Sequence, residues 1–381
     1  KDRLRAQLGM KWSRAQPNEV PLDVADLDFE LATPIHDTIN DALTKSDVGY
    51  PDFSGPTVNR LREIFANRQS HLYGASVDES RVEICAQSMQ SLCCAVLAFT
   101  APGDEVVTHT PCYLPIRTAV EQLGRRCVLL PVRESRSAEE FEESIRRIRP
   151  DGTRIGMIVL CQPHNPTGHL FSRETVEAVS EFAVRNDVVL FSDEVYQDLV
   201  FAPRRHVSAL AANHISQTVM ATSASKAFNI SGLRCALVTF GSKALRERFT
   251  ALPWHLRDGA GILGIRAAIA AWSECDGWLE ELHSQLRRNR AVLAAGLTST
   301  SIGWTPPDAT HFAWLDFRDY FNDDADPVDT LRRTQRIRLE PGTAFGRDFG
   351  HFGRMNLGTS PGRLMNAMET FRTLPRRTGF S

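Results

Sequence analysis

The sequence predicts an α/β chain: a large domain with a mostly parallel seven-stranded sheet between helices, and a smaller α+β domain. Three observations carry this. Between about residues 82 and 240, short apolar runs alternate with helical patterns, as in a parallel sheet covered on both faces. The runs are continuously apolar rather than alternating, which marks strands buried on two sides. After a helical stretch the alternation returns between 303 and 381, with shorter strands.

The elements follow in order. Residues 1 to about 30 read as a polar arm leading into the extended segment Val20 to Phe29. Pro34 to Lys45 reads as a helix with Thr33 as its N-cap and Pro at the first position. A loop at Gly49–Gly55 precedes a helix from Val58 to Tyr73. The seven strands are Val82 to Cys85, Val106 to His109, Cys127 to Val132, Ile155 to Cys161, Val188 to Ser192, Thr218 to Ala221 and Cys235 to Phe240. Helices near 89–99, 114–123, 138–148 and 172–186 fill the intervals. The chain is helical from 243 to about 297, broken by Pro253 and the loop 257–261. Beyond it lie strands at Phe312 to Phe317, Arg336 to Glu340 and Gly353 to Leu357, with a helix at Val328 to Gln335. The expected domains are 1–45 (arm and part of the small domain), 46–270 (large) and 271–381 (small).

Composition excludes several classes. The 381 residues suit two domains, and a net charge of -2 leaves no footprint for nucleic acid or an anionic membrane. No apolar run approaches the roughly 18 residues a membrane helix needs. The eight cysteines form no Cys-x-x-Cys and no zinc-ligand spacing, so free thiols, no metal site and a cytoplasmic location are expected.

Lysine is scarce. Five of the 44 basic side chains are lysines: Lys1, Lys11, Lys45, Lys226 and Lys243. Lys1 and Lys11 fall in the polar arm, Lys45 ends a helix, and Lys243 begins one. Only Lys226 follows a strand and sits among small residues, in Thr222-Ser223-Ala224-Ser225-Lys226 with Gly232 and Arg234 beyond. Small residues let backbone approach a ligand, and hydroxyls with an arginine suit a phosphate. A desolvated lysine there is suited to a Schiff base with an aldehyde. Together these point to pyridoxal phosphate.

Two further strand ends fit the same ligand. Gln162-Pro163-His164-Asn165-Pro166-Thr167-Gly168 makes a turn, and Ser192-Asp193-Glu194-Val195-Tyr196 puts a carboxylate where only a cation would justify it. A protonated pyridine nitrogen is such a cation, and Tyr196 is placed to bond a phenolic oxygen.

The pattern Ser-x-Ser-Lys-x5-Gly-x-Arg, with Asn-Pro-Thr-Gly and Asp-Glu-Val-Tyr before it, resembles the fold-type I pyridoxal-phosphate enzymes of the class I/II aminotransferase group. Within that group the chain looks most like the cystathionine β-lyase-like C–S lyases of the MalY/PatB type. The stretches Val24–Phe29, Gly49-Tyr50, His109–Tyr113, Ala313–Asp316, Pro341–Gly346 and Gly353–Leu357 carry that likeness.

The resemblance implies roles. Lys226 is the Schiff-base lysine and proton shuttle. Asp193 binds the pyridine nitrogen, Asn165 and Tyr196 the ring oxygen, and Tyr113 stacks on the ring. Ser88 and Met89 offer backbone N–H groups to the phosphate at a helix N-terminus, with Ser223, Ser225 and Arg234. Tyr50 reaches the phosphate of a neighbouring subunit, which implies a homodimer with shared sites. Arg354, with Asn165, holds the substrate carboxylate. Gln87, Tyr196 and His311 depart from the pattern, standing where glycine, histidine and tyrosine are expected. The implied activity is β-elimination from an S-substituted cysteine. Transamination, and a decarboxylating oxidative deamination of a cysteine S-conjugate in natural-product biosynthesis, are the alternatives. A catalytically silent pyridoxal-phosphate sensor is disfavoured by the complete residue set.

Overall fold

The computed structural model describes residues 2–149, 154–322 and 325–375. The chain divides into two units: residues 31–163 with 170–279, and residues 1–30 with 164–169 and 280–381.

The first unit is built on a seven-stranded sheet. We number its strands β1 (Val82–Cys85), β2 (Glu105–Thr110), β3 (Arg126–Pro131), β4 (Ile155–Cys161), β5 (Val189–Asp193), β6 (Thr218–Thr222) and β7 (Ala236–Phe240). The order across the sheet is β1-β7-β6-β5-β4-β2-β3, and only β7 runs antiparallel to its neighbours. The apolar runs form these strands because both faces are buried. Val106, Met157, Val159, Phe191, Val219 and Val238 pack into one core layer, while Val107, Ile158, Leu160 and Leu190 pack into another. Each element agrees with the sequence reading to within two residues, apart from one cap. Thr33 is already the first helical residue of Thr33–Thr44, and Ala32 precedes it with no side-chain cap.

The topology places loops. The carboxyl ends of the parallel strands share one edge, where ligands of open α/β sheets bind. Because β7 is reversed, its first residues arrive at that same edge: Ala236 pairs with Cys85 and Leu237 with Thr222.

The second unit carries the antiparallel sheet Glu340–Pro341, Phe352–Asn356, Phe312–Asp316 and Gly303–Trp304. Val20–Pro21 pairs in parallel with Ile337–Arg338. Here two expectations fail: the single strand read at Arg336 to Glu340 is two, Ile337–Arg338 and Glu340–Pro341, in different sheets, and Lys11 does not lie in a polar arm. It is 1 % exposed, with Nζ 3.0 Å from Asp28 Oδ1 and donating to the Asp26 carbonyl at 2.9 Å. Asp28 is itself buried and also accepts from Trp12 Nε1 at 2.8 Å and from Thr359 Oγ1. A buried anion demands a nearby cation. Burial lowers the Lys11 pKa while Asp28 holds the charge in place. Lys11→Met leaves Asp28 with Arg363, 3.5 Å from its Oδ2, as its nearest cation, so we expect a loss of up to about 3 kcal/mol of stability, read from denaturant melts.

Candidate functional site

Asp193 closes β5, opposite Cys161 and Ala221. Its carbonyl accepts from Gln162 N at 2.9 Å, which ties the strand to the turn after β4. Its side chain is buried. Burial pushes its pKa up to about 7; the Val195 N–H and the Lys226 charge pull down, and Glu194 pushes up. Oδ1 has no hydrogen-bond partner among the described residues. Such an oxygen calls for a donor, and a cationic N–H is the donor that would justify burying a carboxylate.

Lys226 follows β6 and is half-buried. Its neighbours Ala224, Ala227 and Phe228 are buried, and Phe228 stacks on Trp278 with centroids 5.9 Å apart. The backbone is closed by Phe228 N to Ala224 O (3.0 Å) and Ile230 N to Ser225 O (3.1 Å). Packed residues on either side thus hold the lysine's main chain while its ammonium acts on Asp193.

Around it lie the anion-seeking groups. Ser223 Oγ donates to the Cys235 carbonyl at 2.6 Å and lies 2.7 Å from Ser225 Oγ. Arg234 has φ 55°, a left-handed conformation that costs energy for a residue with a Cβ and is kept where surroundings enforce it. Part of that enforcement is the helix Ile262–Glu274, where a Cβ on Gly264 would stand 2.3 Å from the Leu233 carbonyl. Arg234 Nη1 donates to Gln87 Oε1, so the departure at Gln87 has a definite consequence: the two side chains clasp. Gln87 is the extended N-cap of helix Ser88–Phe99, and no side chain caps that end. The first N–H groups of the helix, at Ser88 and Met89, therefore remain available to an anion. Tyr113 begins helix Leu114–Gln122, and it packs with Met89 on the core layer beneath one face of the sheet. Tyr196 is buried in the turn after Asp193, its carbonyl accepting from Leu199 N at 2.9 Å.

The first unit thus brings nine of the expected residues, Ser88, Met89, Tyr113, Asp193, Tyr196, Ser223, Ser225, Lys226 and Arg234, to one sheet edge. Tyr50 is not among them; it stands fully exposed.

In the second unit Arg354 and Asn165 come together. Arg354 Nη1 donates to Asn165 Oδ1 at 2.9 Å and Nη2 to the Asp23 carbonyl at 2.8 Å. The guanidinium lies 4.0 Å from the Phe312 ring centroid and 5.2 Å from that of Phe345. These contacts fix its plane, an arrangement suited to a bidentate pair with a carboxylate. Glu340 pairs with it across the strands; burial raises the Glu340 pKa and Arg354 opposes that. Asn165 is held by its segment: Gly168 has φ 68°, and a Cβ there would stand 2.3 Å from Pro307. His311 is buried against Phe312, with ring centroids 4.3 Å apart.

Sequence reasoning missed Phe312, Phe345 and the Asp23 carbonyl around Arg354. It also missed the pairing of Glu194, next to Asp193, with His206. An acidic pair closing an apolar strand was the one signal that Glu194 needed a partner.

Residues 21–371 match the family aminotransferase class I and II. The chain is 28 % identical to cystathionine β-lyase PatB of Bacillus subtilis over 384 residues, covering 97 % of this chain and 98 % of that protein. It is 29 % identical to cystathionine β-lyase of Corynebacterium glutamicum, covering 94 % of each. A Corynebacterium diphtheriae structure, solved as a candidate PLP-dependent β-cystathionase, superposes with a TM-score of 0.89 at 27 % identity, covering 98 % of this chain and 97 % of that one.

Proposed function

Because this chain belongs to the aminotransferase class I and II family, we propose that it is a pyridoxal 5'-phosphate-dependent C–S β-lyase acting on an S-substituted cysteine. The observation that carries the reading is near full-length similarity to enzymes named for that reaction. The residues fit the cofactor. Asp193 Oδ1 is a buried carboxylate oxygen without a partner among the described residues, as a protonated ring nitrogen requires. The cluster Ser223, Ser225, Arg234 and the capless helix end suit its phosphate.

Bound pyridoxal phosphate supplies an electron sink for the pair released when the substrate Cα–H bond breaks. The chain's residues supply the rest. Lys226 Nζ takes the Cα proton. Asp193 would keep the proton on the ring nitrogen, and its burial would make that pairing stronger than in water. Tyr196 and Asn165 would hold the ring oxygen, and Tyr113 would cover the ring. Arg354 fixes the substrate carboxylate. The electrons left at Cα form a Cα=Cβ bond as the Cβ–S bond breaks, and the sulfur leaves with its pair. The Lys226 ammonium returns the proton to that sulfur. With one water the balance is thiol, pyruvate and ammonium.

An arginine fork in the carboxylate plane disfavours loss of that carboxylate. Arg354→Lys keeps the charge and loses the fork; we expect kcat/KM to fall about 10- to 100-fold, chiefly through KM. Tyr196 and the Gly232-x-Arg234 pattern favour transamination as the second reading. One experiment separates the two: incubation with an S-alkylcysteine, with and without a keto acid. Thiol and pyruvate formed without the acceptor support the lyase, and turnover that requires it overturns the lyase in favour of the transaminase.

The enzyme acts as a homodimer in this proposal, Tyr50 serving the phosphate of the second copy. Its full exposure, with exposed Leu43 and Val48 near it in the chain, supports a role outside its own subunit. We place it in the cytoplasm, where its eight free thiols would persist. Among the described residues no helix is long and apolar enough to cross a membrane.

A further inference from the structure

Behind Asp193 lies a buried polar cluster that the reaction above does not use. Glu194 is its hub. Oε1 accepts from Ser192 Oγ and from Ala209 N, each at 2.8 Å, and Oε2 lies 2.7 Å from His206 Nε2. Its main chain joins the neighbouring strand end: Glu194 N donates to Ala221 O at 2.8 Å, and Thr222 Oγ1 donates to Glu194 O at 3.1 Å. Glu194 and His206 are both sealed from solvent, at 0 % side-chain exposure. His206 Nδ1 has no hydrogen-bond partner among the described residues, and the ring stands edge-on to Tyr73 at 5.3 Å.

A sealed carboxylate is costly unless a cation meets it. Among the groups bonded to Glu194, only His206 can carry positive charge. Tyr73 donates to Asp198, and Arg68 is committed to Asp198 at 3.0 Å and Asp276 at 2.9 Å. The Lys226 charge acts on Asp193, whose pKa it lowers.

We propose that His206 is a positioning residue for Asp193: as an imidazolium it neutralises Glu194, so that Asp193 meets the cofactor ring as a carboxylate. The proposal rests on the reading that Asp193 pairs with the ring nitrogen. Without the imidazolium, two adjacent buried acids compete, and one of them must take a proton. Asp193 is poised to be that one, since burial already raises its pKa and the Glu194 charge adds to the rise. A protonated Asp193 offers the ring nitrogen no anion.

The test uses full-length protein stripped of cofactor and titrated with pyridoxal 5'-phosphate between about pH 5.5 and 9, with binding followed by absorbance and equilibrium dialysis. Uptake by the wild type should rise with pH as Asp193 ionises. His206→Gln keeps a donor for Glu194 and loses the charge. It should move the midpoint up by about one pH unit and weaken uptake at pH 7 about 10-fold. Glu194→Gln alone should move the midpoint down. The doubly neutral pair, Glu194→Gln with His206→Gln, should return it close to wild type, which a purely structural role does not predict. Well-folded single variants with the wild-type midpoint, or a double variant no better than His206→Gln, overturn the proposal. If His206→Gln does not fold, Glu194→Gln decides: a downward shift supports the proposal and no shift overturns it. A wild type that takes up no pyridoxal phosphate overturns the functional reading itself, and this inference with it.

Discussion

Lys226→Ala lowers turnover of an S-substituted cysteine by about 10³- to 10⁴-fold, the range expected when the base that takes the substrate proton is removed. Lys226 is half-buried and its flanking residues do the packing, with Ala224, Ala227 and Phe228 all buried. Thermal stability should therefore change little, which separates a chemical role from a structural one. The variant still has the serine and arginine cluster and the helix N-terminus, so it should retain cofactor without a covalent link. Borohydride treatment checks this directly: it should attach pyridoxal phosphate permanently to the wild type and leave the variant unmodified. Attachment to the variant would falsify the assignment, because the other lysine that follows a strand of the sheet, Lys243, leaves β7 at the opposite edge.

Asp193→Asn carries the second large effect, and it has two opposite signs. With cofactor, the variant loses the anion that keeps the ring nitrogen protonated, and kcat should fall by about 10²-fold or more. Without cofactor, the same change should stabilise the protein. The Asp193 pKa is pushed up to about 7 in the fold, above the ordinary carboxylate value of 3.8. The folded chain therefore binds this proton more tightly than the unfolded chain, and cofactor-free stability falls as pH rises from about 4 to 7. Above pH 7 the full cost of the buried charge is present, on the order of 4 kcal/mol from the size of the shift. Asparagine removes that cost. Melting of the cofactor-free proteins should favour Asp193→Asn at pH 8 and show little difference near pH 4. A wild type more stable than the variant at pH 8 would mean that the carboxylate already has a partner.

Much of this was legible in the chain because the signals are local. A strand buried on both faces must be continuously apolar, and Ile155–Cys161 reads to the residue. Strand β2 is longer than its apolar run. It takes in Glu105, whose carboxylate is satisfied by Arg126 at 2.7 Å and by Arg149, residues too remote in sequence to foresee. Thr33 shows the limit of cap reasoning: Pro34 announces a helix start, yet a threonine can be the first helical residue as readily as the one before it.

The candidate site divides the same way. Lys226, Asp193 and Asn165 are visible because each follows an apolar run in a short, small or turn-forming segment. The aromatic rings around Arg354 are not, since Phe312 and Phe345 read as ordinary core. Lys11 reads as an exposed arm residue until Asp28, Trp12 and Thr359 are seen around it.

The sequence by itself determined which segments become strands, in what order their loops come, and which residue types stand at the strand ends. Those depend on periodicity and on residues a few places apart. Only the tertiary structure decided what surrounds the charged groups: the buried Asp193, the sealed Glu194–His206 pair and the lysine inside the second unit. The reason is physical. The cost of a charge depends on the water removed from it and on the partners brought to it, and neither is a property of neighbours along the chain.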